Sequence, residues 1–163
     1  MNRTLVSVVV VGVLALALLV SCNLTGMTEA DFAVALMKTT ANSTGAYTPP
    51  GKGVVYDENG LKIEVTETST QWPEDGTYPA VVTFTAYNPP FSQNSTVDGT
   101  INSIIIVDTA VSKTVTMSFA GELTVTGAHA GVYEFEAELV FHLDTGEYEY
   151  SGTVTIDGTL YNL

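Results

Sequence analysis

The sequence is poor in cysteine, positive charge and histidine, and each shortage removes a class of chemistry. Cys22 is the only cysteine, so no disulfide can form within the chain. Only 5 basic residues, Arg3, Lys38, Lys52, Lys62 and Lys113, stand against 18 acidic ones, and the net charge is −13. Nucleic acid requires a clustered Lys/Arg footprint, which is missing here, so it is excluded as a partner. Two histidines, His129 and His142, cannot build a His-rich metal site. The chain has no Gly-x-Ser-x-Gly elbow and no phosphate-binding glycine loop, because Gly51-Lys52-Gly53 reads as a turn beside two prolines. No catalytic residue, metal or cofactor is implied. At 45% hydrophobic and 14% charged residues, the composition is that of a folded chain rather than a disordered one.

What the sequence does have begins at its start. Arg3 precedes an almost unbroken apolar run over residues 5–20, LVSVVVVGVLALALLV. A basic start and a run of this length read as a secretory signal peptide. A membrane-spanning helix needs about 20 apolar residues, and this run is shorter. It ends at Leu19-Val20-Ser21-Cys22.

Those four residues resemble the lipobox of bacterial lipoproteins, with Leu three positions before the cysteine and a small Ser immediately before it. The resemblance covers residues 1–22 only, and no family is recognised for the rest. It implies cleavage between Ser21 and Cys22, diacylglyceryl attachment to the Cys22 sulfur, and acylation of the new amino terminus. Two or more acyl chains anchor stably, whereas one is marginal. The expected organisation is a signal peptide at 1–21, a lipidated tether at 22–28 and one β-rich domain at 29–163. The expected location is the bacterial cell envelope. Asn23, where an enteric retention signal has Asp, favours the outer membrane or cell surface over the inner membrane. Asn-x-Ser/Thr triplets at Asn23, Asn42 and Asn94 then read as polar loops rather than glycosylation acceptors.

Thr28-Glu29-Ala30-Asp31 resembles a capping box with Asp in the acidic position, which predicts a helix over 29–41. Its apolar face carries Phe32, Ala33, Leu36, Met37 and Thr40. Residues 42–52, NSTGAYTPPGK, contain the breakers of a linker.

From Gly53 the pattern has period two. Seven strands are expected at 53–57, 61–68, 78–88, 96–107, 113–127, 132–143 and 147–160, with Asn59-Gly60 as a tight turn. Tyr133, Phe135, Ala137, Leu139 and Phe141 alternate with Glu134, Glu136, Glu138 and His142. One apolar face and one polar face predict a curved antiparallel meander, with the helix packed on its concave side. A small closed barrel is the alternative. A transmembrane barrel is not, because Glu and Thr occupy the outward positions.

Matching faces across short loops pairs Gly99 with Gly121, Gly121 with Ala137, and Ala137 with Gly152, a row of small residues beneath the helix. Thr96-Val97-Asp98-Gly99-Thr100-Ile101 also echoes Thr155-Ile156-Asp157-Gly158-Thr159-Leu160.

His129 is expected in an exposed turn and His142 in a surface contact near Glu147. Glu122, Glu134, Glu136, Glu138, Glu147 and Glu149 are expected on the outer face. Such acids could serve glycoside hydrolysis or calcium, but no pocket or ligand loop accompanies them. Tyr133, Phe135, Phe141, Tyr148 and Tyr150 are expected as inner-face core, while Trp72, Tyr78, Tyr87 and Phe91 are candidates for a loop contact patch.

Three functions remain. The first is a lipid-anchored envelope protein, not an enzyme, with a binding or structural role and an unidentified protein or hydrophobic partner. The second is a carrier of a hydrophobic ligand in the concave face, and the third a hydrolase using surface acids.

Overall fold

Thr28 opens the helix in the expected way. In the computed structural model, which describes residues 26–45, 53–66 and 74–163, its Oγ1 accepts the Asp31 amide at 3.1 Å. The Asp31 carboxylate accepts the Thr28 amide at 3.1 Å and the Thr28 hydroxyl at 2.7 Å. Two otherwise orphaned amides are thereby satisfied. Helix α1 (Glu29–Gly45) follows and runs four residues past its expected end. The extension is rich in Ser and Thr, which usually favour caps and turns. Here the hydroxyls bond back into the helix, Ser43 to the Thr39 carbonyl at 3.0 Å and Thr44 to Ala41 at 2.7 Å, as Thr40 just before them does to Leu36 at 2.9 Å. Phe32, Ala33, Leu36, Met37 and Thr40 are all buried, so the expected face is the packed one.

Among the described residues eight strands form one antiparallel sheet in sequential order: β1 (Gly53–Glu58), β2 (Leu61–Val65), β3 (Gly76–Tyr87), β4 (Ser95–Asp108), β5 (Thr114–Gly127), β6 (Gly131–His142), β7 (Tyr148–Ile156) and β8 (Thr159–Asn162). β1 and β8 are the edges, so the sheet is an open meander and not a closed barrel. There is one strand more than expected. Asp157 (φ 48°) and Gly158 (φ 81°) form a two-residue turn that splits the last expected strand into β7 and β8. Both turn positions need positive φ, which Asp-Gly supplies. The matching Asp98-Gly99 stays inside β4, so the short echo carries two different conformations.

Register departs from expectation at two of three places. Ala137 faces Gly152 as expected. Gly99, however, faces Leu123, while Gly121 faces Ile101 on one side and Phe135 on the other. Each difference is two residues, which leaves every side chain on its expected face. Face matching therefore could not detect it. The β4–β5 register is closed by Asp108 opposite Thr114, where the Asp108 carboxylate accepts the Val111 and Ser112 amides at 2.9 and 3.2 Å.

The small residues bend the sheet rather than admit the helix. Gly121 has φ 151°, and a Cβ there would lie 2.8 Å from the Thr100 carbonyl oxygen of β4. Gly152 has φ 99°, and its Cβ would lie 2.3 Å from the Glu136 carbonyl oxygen of β6. In both cases the obstructing atoms belong to the neighbouring strand. The resulting curl brings β1, β6 and β7 all against α1.

Candidate functional site

The first turn of α1 and the chain entering it are tied to one end of the sheet. Met27 packs against the core, and Phe32 is completely buried. The Phe32 ring meets Phe91 edge-on at 5.4 Å, His129 in a stack at 4.9 Å and Tyr133 at 5.7 Å. Tyr133 donates its hydroxyl to the His129 carbonyl at 3.0 Å. His129 is thus a half-buried packing residue and not the exposed turn histidine expected from sequence. Its Nδ1 is buried without a hydrogen-bond partner among the described residues. Burial raises the Tyr133 phenol above its ordinary range, helped by the negative charges of Glu29 and Asp157.

Along the middle of α1 the concave face is full. Leu36, Met37 and Thr40 meet Phe84, Ile101, Phe119, Leu123 and Phe135 around a void of about 10 Å³. That is near the lower limit for a single water molecule. At the far end Tyr148 donates its hydroxyl to Asn42 Oδ1, and the Lys38 ammonium sits 4.6 Å from the Tyr148 ring centre. Phe141 packs on Tyr148 at 4.8 Å. Burial raises the Tyr148 and Tyr150 phenols. Tyr133, Phe135 and Tyr148 are therefore used on the helix, while Phe141 and Tyr150 pack on Tyr148. Lys38 and Asn42 escaped the sequence reading, since nothing local relates them to a strand 106 residues away.

The loop contact patch does not exist as expected. Tyr78 and Tyr87 are strand residues only 0% and 5% exposed, and Phe91 is spent on Phe32. Trp72 lies outside the described residues, as does Cys22 together with the expected signal peptide and lipobox.

The acids are where alternation put them, with one exception. Glu122 sits directly opposite Glu134, which in turn faces Thr155, while Glu136 and Glu138 face Thr153 and Ser151. All are exposed on the outer face. Glu147 falls just before β7. His142 consequently meets Glu149, at 3.3 Å, and takes only the backbone carbonyl of Glu147. Among the described residues no group of three His, Cys, Asp or Glu is placed to hold a metal ion. Nor is any of their helices long and apolar enough to cross a membrane.

No family model, curated protein or solved structure matches this chain.

Proposed function

We propose that this is a lipid-anchored bacterial envelope protein that acts by binding or as a structural element rather than by catalysis. The observation carrying the anchor is Leu19-Val20-Ser21-Cys22 at the end of an apolar leader. Attachment through Cys22 needs no spanning segment in the folded domain. An acidic domain whose outer face carries exposed Glu122, Glu134, Glu136 and Glu138 suits a position beside the membrane.

Among the described residues, the close packing beneath the middle of α1 supports the binding or structural role over the carrier. A small-molecule site encloses roughly 300 Å³ or more, whereas the void beneath α1 is about 10 Å³. The hydrolase reading has less support, because the outer acids lie on an open convex face with nothing to desolvate them.

The test is Cys22→Ala, followed by membrane fractionation and metabolic labelling with an acyl chain. The variant is expected to keep its signal peptide, lose the label and leave the membrane fraction. A variant that remained labelled and membrane-bound would remove the basis of the proposal.

A further inference from the structure

The lipid anchor says that the domain is held at a membrane; the fold adds which end faces it. Resting on the anchored reading, we infer that the domain stands end-on to the bilayer. The end bearing the β3–β4, β5–β6 and β7–β8 connections lies next to the headgroups, and the β4–β5 hairpin points away.

Three observations combine. First, the chain enters the fold at one fixed place. Met27 is packed against the core, Thr28 is locked in the capping box, and Phe32 is buried between Phe91 and His129. Phe91 belongs to the β3–β4 connection and His129 to the β5–β6 connection, so the tether leaves at that end. Second, the tether is short. From Cys22 to Met27 there are five peptide steps, which span at most about 18 Å when fully extended. β5 has 14 residues, and steps of about 3.3 Å between them make it roughly 43 Å long. The tether therefore cannot carry the opposite end of the sheet to the bilayer while the entering end stays away.

Third, charge opposes lying flat. Glu122 on β5 and Glu134, Glu136 and Glu138 on β6 lie exposed on the outer face. Anionic headgroups repel such a face over roughly a Debye length, about 8 Å at physiological ionic strength. The outer-face base Lys62 is already paired with Glu64 at 2.7 Å. The distal hairpin is an ordered projection. Asp108 accepts Val111, Ser112 and the Ser112 hydroxyl, and Asp75 accepts the Thr109 amide and hydroxyl at 2.8 and 2.7 Å. At its tip Val111 is 85% exposed. End-on standing leaves this tip open to other molecules.

The test uses the mature lipoprotein in phosphatidylcholine–phosphatidylglycerol vesicles carrying acceptor-labelled lipid. With Cys22 blocked by its thioether, one added cysteine is the only free thiol. Donor dyes are placed at the near end by Ala128→Cys or Ala130→Cys, and at the far end by Val111→Cys or Ala110→Cys. All four positions are exposed, and two per end guard against one disturbed loop. Mass spectrometry first measures the lipid on Cys22. Several-fold stronger transfer from both near-end positions is expected. A long Gly/Ser insertion after Thr25 is expected to shrink that ratio. Lipid present with equal or reversed transfer overturns the orientation alone. Absence of lipid on Cys22 overturns the anchored reading and the orientation with it.

Discussion

The rings of Phe32 and His129 stack 4.9 Å apart at 29°, joining the first turn of α1 to the connection between β5 and β6. This contact shows what holds the helix down. Among the described residues α1 is the element that covers the inner face of the sheet, and Phe32, its one aromatic, is completely buried. Phe32→Ala is expected to cost about 3–5 kcal/mol and Leu36→Ala about 2–5 kcal/mol in denaturant unfolding. A loss under about 0.5 kcal/mol for both, the scale of surface changes, would mean the helix is not docked.

The capping box gives a second, local prediction. Thr28→Ala removes the hydroxyl that accepts the Asp31 amide, and about 0.5–2 kcal/mol of stability is expected to go with it. The Asp31 carboxyl is held below its usual value by hydrogen bonds from the Thr28 hydroxyl and amide. Its contribution is therefore present above the unfolded value of about 3.9 and is lost as pH falls through the lower folded value. Unfolding curves between about pH 2 and pH 6 are expected to show a smaller acid loss in Asp31→Asn than in the parent. Equal acid losses would show that the carboxylate does not work through this cap.

Much of this fold could be read from residue order because its signals are local. The cap at Thr28, the helix face, the Asn59-Gly60 turn and the alternation of β6 each depend on neighbours within a few positions. What escaped depends on distance. The two-residue register differences at Gly99 and Gly121 preserve every face, so period two is blind to them. His129 looked like an exposed turn residue because its partner Phe32 is remote in sequence. Asp157-Gly158 is the exception: the turn chemistry was present, but apolar-polar alternation on both sides carried the strand through it. The expected lipobox at Cys22 lies outside the described residues.

Alkaline pH tests the buried phenols. Tyr87, only 5% exposed, has its phenol pushed up to about 12, chiefly by burial and further by nearby Tyr56. The unfolded phenol ionises near 10. A raised folded value means that the neutral form is favoured in the fold. The associated stability is thus complete below about pH 10 and falls as pH rises toward 12. Tyr87→Phe cannot ionise and is expected to show a shallower decline over that window. An unchanged slope would mean that Tyr87 reaches solvent before it titrates.

The bends in the sheet give the last prediction. Gly152 combines φ 99° with a Glu136 carbonyl oxygen 2.3 Å from where a Cβ would stand, and Ala137 Cα at 2.8 Å. Gly146 has φ 74° but open space around its Cβ position. Gly146→Ala therefore measures backbone strain alone, expected at about 1–2 kcal/mol. Gly152→Ala adds a clash with backbone that cannot rotate away, and about 1–3 kcal/mol more is expected. Gly121→Val is expected to destabilise as well, although Val ordinarily favours strands, because its Cβ would press on the Thr100 carbonyl at 2.8 Å. Thermal unfolding of the three variants ranks these causes. Equal losses for Gly152→Ala and Gly146→Ala would mean that the sheet gives way at the Glu136 carbonyl. Its curl around α1 would then be set by backbone conformation and not by close strand approach.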